Sequence, residues 1–146
     1  MTEVVSFKTE HIQMLDPVTL NKLGMVQGWV EKAEIFSKVG KCFSAFVNGE
    51  LIACAGVNVL WPGTGEAWAI VTPRIYKNKL FFHKAVKNNL EDIIKTKCLK
   101  RVQAQILVGF TAGARWIESL GFELEGVLKK YDSMQNDYWM FARVED

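Results

Sequence analysis

The chain has 146 residues, 49% hydrophobic and 23% charged, which implies one globular domain over 1–146 and excludes disorder along most of its length. Eighteen basic side chains against sixteen acidic ones leave a net charge of +2, too even to imply nucleic-acid binding from bulk charge. No apolar run approaches the ~18 residues of a membrane span, and the opening MTEVVSFKTE lacks the regions of a signal peptide.

Cys42, Cys54 and Cys98 are scattered, and His11 and His83 lie far apart, so neither disulfides nor a metal site is expected. Free thiols of this kind imply a reducing, cytoplasmic compartment.

In chain order, VVSF (4–7) reads as a short strand, and Thr9 is placed to cap a helical turn through Leu15. Asp16-Pro17 reads as a cap with proline at the first helical position, opening a broken helix or two helices to about Val39. CFSAFVNGELIACAGVNVL (42–60) is a hairpin about Asn48-Gly49, which suits a type I′ turn. WPGTG (61–65) is a second turn and EAWAIVT (66–72) a third strand. Leu80 to Lys97 follows a helical period.

RVQAQILV (101–108) alternates in its first half and reads as a strand. Thr111 is read as the cap of the helix AGARWIESL, which stops at Gly121 in the left-handed position. FELEGVLKKY and YWMFARV are strands flanking the turn DSMQND. Two strand–helix–strand units beside hairpins require a mixed sheet with helices on its faces, in the α/β or α+β class.

The stretch AIVTPRIYKNKLFFHKAV (69–86) runs from a strand into a helix through a basic, glycine-free junction. Unpaired N–H groups at such a junction attract anions. The ordinary alternative is a solvated lysine face on an amphipathic helix.

The tail VGFTAGARWIESLGFELEGVLKKYDSMQNDYWMFARV resembles the final section of the GCN5-related N-acetyltransferase (GNAT) superfamily. The landmarks are Gly121-Phe122, Glu125-Gly126, Tyr131, Asp137-Tyr138 and Ala142-Arg143, and the element order matches along nearly the whole chain. A narrower resemblance, through the AG-RWIE-LGF run, is to phage-encoded members, for which the compartment would be the host cytoplasm. The resemblance implies a mostly antiparallel sheet with one splayed parallel pair, Ala67–Thr72 beside Gln103–Val108. It implies acetyl-CoA as co-substrate, with Ala69, Ile70 and Val71 along the pantetheine arm. Tyr76, Lys77, Asn78, Lys79, Leu80 and Phe81 would form the pyrophosphate cradle, with Thr111 and Arg115 nearby. Arg115 has an alternative as a partner of Glu118 or a solvated side chain.

The chain departs from the family pattern in three places. Tyr76, Lys79 and Phe81 stand where the loop has Arg or Gln, Gly, and Gly or Ala. Ile117 replaces a tyrosine acid, and Phe110 an asparagine. Glu66 matches a base position of some members, with a surface carboxylate after the turn as its alternative. Tyr131 and Tyr138, placed on the last two strands, are the remaining candidate acids, with half-buried strand tyrosines as the alternative. Trp29 and Trp61 fall where members wall the acceptor pocket, although core packing is the default for such rings.

The implied function is N-acyl transfer from acetyl-CoA to a small-molecule or peptide amine by direct attack, and the resemblance also allows a homodimer. The rival is a catalytically degenerate GNAT-like protein acting through protein contacts. Nucleic-acid binding through Lys77, Lys79, Lys84 and Lys87 ranks last.

Overall fold

A computed structural model describes residues 1–15, 34, 35, 38 and 40–146. The helices expected between Asp16 and Val39, and Trp29 with them, lie outside the described residues apart from helical Glu34 and Ile35.

Seven strands form one sheet: β1 (Thr2–Ser6), β2 (Gly40–Val47), β3 (Glu50–Trp61), β4 (Thr64–Val71), β5 (Arg101–Leu107), β6 (Glu123–Leu128) and β7 (Tyr138–Val144). Their spatial order is β1-β2-β3-β4-β5-β7-β6, so the last strand inserts between β5 and β6. Every neighbouring pair is antiparallel except β4 and β5. That pair is parallel because helix α1 (Lys79–Thr96) carries the chain back across the sheet between them. Helix α2 (Thr111–Ser119) links β5 to β6.

Asn48 and Gly49 both take positive φ, 51° and 80°, as a type I′ hairpin requires. β4 begins two residues earlier than its sequence pattern suggests. Only Pro62 and Gly63 turn the chain, and Trp61 pairs directly with Thr64. At the amino terminus, Thr9 does not cap. It opens a 3₁₀ turn (Thr9–Met14) whose cap position is held by Lys8, without a side-chain bond.

α1 buries Phe82, Leu90, Ile93 and Ile94, with Val86 half-buried between them, as a stripe at helical spacing. Val86, Leu90, Ile93 and Ile94 pack with Val57, Val102, Ala104, Ile117, Phe122 and Phe141 into the main core, while Phe82 packs with Phe43, Ala45 and Ile52. Each side chain so buried contributes roughly 1.5–3 kcal/mol of transfer free energy. The opposite face of the sheet is covered by Phe7, Ile12 and Leu15, packed on Leu51, Cys54 and Ile70. β3 is therefore enclosed from both sides, and Leu51 to Asn58 are all buried.

α2 ends in a Schellman motif. Gly121, at φ 92°, donates its N–H to Glu118 at 3.0 Å, and Phe122 donates to Ile117 at 3.4 Å. Its start differs from the sequence expectation. Phe110 holds the cap position, no side chain caps the helix, and Thr111 is the first helical residue. The Phe110 ring lies over Gly113, where an added Cβ would meet it at 2.6 Å.

Candidate active site

β4 and β5 pair only through Thr64–Arg101, Gly65–Val102 and Glu66–Gln103. β4 stays paired with β3 as far as Val71, and β5 with β7 as far as Leu107, so each strand is pulled toward its other neighbour. Beyond Glu66 and Gln103 the two facing backbone edges are unpaired with each other and the sheet opens. Thr72 fixes the far end of β4: its buried side chain and N–H both donate to the Ile52 carbonyl, at 3.1 and 2.9 Å.

The opening leads into a cleft of about 780 Å³ between the sheet and the two helices. Its inner wall is apolar, with Val57, Ala67, Leu90, Ala104, Ile117 and Phe122. Its mouth carries Val71, Tyr76, Lys79, Leu80, Leu107 and Phe110. Side chains alternate across a strand, so Ala67 and Ala104 face the helices while Glu66 and Gln103 face the other way. Trp68 and Gln105, from that second face, also line the cleft, which makes it an opening through the sheet.

At the fork Glu66 is half-buried, and its Oε1 accepts from Gln105 Nε2 at 2.6 Å and Gln103 Nε2 at 3.2 Å. Gln103 is itself oriented, because Arg101 Nε donates to its Oε1 at 3.1 Å and so turns the amide NH₂ toward Glu66. Arg101 is held in turn by two bonds to Glu125, at 2.9 and 2.7 Å. The register of β6 on β7 shifts between Leu124 and Gly126, at Glu125. The Arg101 hydrogen bond holds the Glu125 carboxyl below the usual carboxylate range.

Tyr131 is not on a strand, contrary to the sequence expectation. β6 stops at Leu128, and Tyr131 lies in the loop to β7, while Tyr138 begins β7. Asp132 organises that loop by accepting from the backbone N–H groups of Met134 and Asn136, at 3.0 and 2.9 Å. It also accepts the Tyr138 hydroxyl at 3.1 Å. Burial, reinforced by that bond and the Asp132 charge, pushes Tyr138 up to about 12. The Tyr131 ring meets Tyr138 edge-on at 5.2 Å, and its hydroxyl has no hydrogen-bond partner among the described residues. Burial first, and then the Glu66 charge, raise the Tyr131 phenol above its ordinary value.

At the mouth, a 3₁₀ turn (Pro73–Lys77) leads through Asn78 into α1. The Asn78 side chain donates to the Arg74 carbonyl at 3.0 Å and does not cap the helix, which leaves the Lys79, Leu80 and Phe81 amides without a side-chain cap. Phe81 turns inward and packs beside Phe43 and Phe82. Lys79 Nζ lies over the Tyr76 ring, 5.4 Å from its centre.

The other expected residues divide. Ala69 and Val71 line the cleft, whereas Ile70 points into the opposite core with Phe7 and Ile12. Lys77 is exposed and Asn78 half-buried at the rim, while Thr111 and Arg115 are exposed outside the cleft wall, beside lining Ala112. Trp61 is 62% exposed at the β3–β4 turn and is not part of the cleft. Sequence reasoning missed Arg101, Gln103, Gln105, Asp132 and His83. The period-two alternation of β5 was the available signal for the first three.

No family profile matches the chain, and no curated protein sequence matches it. Solved structures do. An acetyltransferase of the GNAT family from Streptococcus pneumoniae superposes with a TM-score of 0.78 at 15% identity, covering 100% of both chains. The ribosomal-protein-S18-alanine N-acetyltransferase from Escherichia coli gives 0.70 at 16% identity, over 99% of this chain and 94% of that one. A spermidine N-acetyltransferase from Vibrio cholerae gives 0.73 at 13% identity, over 97% and 94%. The chain therefore has the fold of the GCN5-related N-acetyltransferases.

Proposed function

We propose that the protein is an N-acyltransferase that moves an acetyl group from acetyl-CoA to an amine by direct attack. The observation that carries this reading is the fork itself: two parallel strands part at Glu66 and Gln103, and a carboxylate is held there by two amides. The acceptor class is a small-molecule or peptide amine, in keeping with neighbours whose names specify spermidine or a ribosomal-protein alanine.

The residues present fit the donor. The unpaired edges of β4 and β5 beyond the fork offer backbone groups to the amides of a pantetheine arm, and the cleft wall suits its apolar stem. The uncapped amides of Lys79, Leu80 and Phe81 would hold the pyrophosphate, with Lys77 and Lys79 adding charge. When bound, acetyl-CoA supplies an activated thioester carbonyl.

An ammonium cannot attack a carbonyl, so Glu66 takes its proton, directly or through one water. Oε1 is committed to the two glutamines, which leaves Oε2 for that transfer. The amine nitrogen then bonds to the acyl carbon as the carbon–sulfur bond breaks; Tyr131 protonates the departing sulfur and, as tyrosinate, takes the second proton that the nitrogen sheds on becoming an amide. Tyr131 suits this role because its raised phenol is fully protonated at neutral pH and its hydroxyl is unengaged among the described residues. Tyr138 already donates to Asp132 and buttresses the Tyr131 ring. A covalent thiol route is disfavoured, since burial pushes Cys42 and Cys54 each up to about 11.

Calorimetric titration with acetyl-CoA, followed by thiol-release assays over a panel of amines, tests the proposal. Saturable binding and amine-dependent CoA release are expected. Absence of binding at millimolar ligand overturns it and leaves the rival role in protein contacts.

A further inference from the structure

The cleft wall is mostly apolar, so its few polar side chains decide how a ligand is oriented in it. Tyrosine and tryptophan aside, they are Lys79, His83, Asn89 and Gln105. Three of these are engaged. Gln105 donates to Glu66 at 2.6 Å, Asn89 Nδ2 donates to the Lys41 carbonyl at 3.0 Å, and Lys79 lies over the Tyr76 ring.

His83 is different. The indole Nε1–H of Trp116 donates to its Nδ1 at 3.1 Å. An indole N–H can only donate, so Nδ1 is the unprotonated acceptor and the single ring proton sits on Nε2. Trp116 is itself held in place by stacking on Phe82, with centroids 5.5 Å apart and planes at 24°. The tautomer and tilt of the imidazole are therefore set before any ligand arrives. Among the described residues nothing accepts from Nε2. His83 also stands four residues beyond Lys79 on α1, on the same side of the helix, and both line the cleft.

We infer that His83 is the polar anchor of the cleft, its Nε2–H donating to an uncharged carbonyl oxygen of the ligand. Because it rests on the acyl-donor reading above, the ligand class is an amide-bearing pantetheine arm. A secondary-amide carbonyl entering this apolar wall loses its water, and a donor already fixed on the cleft lining restores the lost bond without reorganisation.

The test uses CoA as the probe, with imidazole ¹⁵N spectra of the free and CoA-saturated protein and CoA titrations of the parent, His83→Phe and His83→Gln. In the free protein, Nδ1 should show an unprotonated shift and Nε2 a protonated one, and CoA should move the Nε2–H resonance. His83→Phe should weaken CoA about tenfold, with part of the loss recovered in His83→Gln, which keeps an N–H donor. An Nε2–H resonance unmoved at saturation, or equal affinity in His83→Phe, overturns this assignment while leaving the donor reading intact. A parent that ignores millimolar CoA overturns the donor reading and this inference with it. The spectra of the parent decide the matter even if the variants fold poorly.

Discussion

Gln105 Nε2 stands 2.6 Å from Glu66 Oε1, across the point where the two parallel strands part. The bond joins the cleft wall to the only carboxylate, among the described residues, that a strand presents at the fork. Replacing Glu66 with Gln keeps the shape but removes the proposed proton acceptor. We expect kcat and kcat/KM to fall together by ~10²–10⁴, with CoA affinity little changed, as measured by steady-state assay and titration. Unaltered turnover would remove Glu66 from the reaction.

Glu125 and Arg101 reach Glu66 only through Gln103, which donates to it directly. Arg101→Met should leave Gln103 free to rotate and lower kcat roughly tenfold or more, since small displacements at a reacting group are costly. Its effect on stability should be small, because a pair this exposed (31% and 43%) contributes at most about 1 kcal/mol. A denaturation midpoint that drops sharply alongside the rate would assign Arg101 to holding β5 and β6 together instead.

Tyr131 and Tyr138 separate by their partners. Tyr131→Phe removes an unengaged hydroxyl and should cost ~10²-fold in turnover, with little change in CoA binding. Tyr138→Phe deletes a bond to Asp132 and should cost much less, through the loop. Equal, negligible effects in both would leave water as the acid.

Much of this architecture is legible in the amino-acid sequence, because alternation and helical spacing record which faces are buried. Ala67, Val102, Ala104 and Phe122 fall where the pattern puts them. The failures come from interactions between distant segments. Tyr131 reads as a strand residue because KKY continues a β-like run, yet Asp132 captures two following backbone N–H groups and bends the chain into a loop. Thr111 looks like a cap, but the Phe110 ring folded on Gly113 occupies that turn instead. The glutamine pair around Glu66 depends on parallel register between β4 and β5, which a linear reading cannot supply. Phe81 stands where the family loop has Gly or Ala, and only the packing shows its ring turned toward Phe43 and Phe82.

His11 is 7% exposed, and its Nδ1 lies 2.6 Å from Ser44 Oγ while accepting the Lys8 N–H at 3.1 Å. Protonation would charge a buried ring and spoil both contacts. Burial is the main cause that lowers its folded pKa below 6.5. Glu10 opposes the shift and Lys8 adds to it. A lowered folded value means the unfolded chain takes up the proton first. The stability contribution is therefore complete above pH 6.5 and is lost as the pH falls below it. Denaturant titrations of the parent and His11→Gln at pH 7.5 and 5 should show their stability difference shrinking at the lower pH. A difference independent of pH would place His11 in a charge-neutral packing role.

The charge at the mouth of the cleft bears on what the glycine-free junction can do. Between Thr72 and Leu90 the chain carries Arg74, Lys77, Lys79, Lys84 and Lys87 and no acidic residue, although the whole protein is only +2. Arg74 is tied to Glu50, at 2.6 Å, which leaves the lysines as the available charge. Backbone amides at the start of α1 should supply most of the pyrophosphate contact, and one lysine a charge-assisted bond of ~1.5–3 kcal/mol. Lys77→Glu with Lys79→Glu removes that attraction and adds repulsion. CoA affinity should then fall by at least tenfold, and the binding that remains should lose much of its dependence on salt. Titrations of CoA at 50 and 500 mM salt check both parts. If the double variant binds with parent affinity and parent salt dependence, the phosphates lie elsewhere and the junction is a solvated helix start.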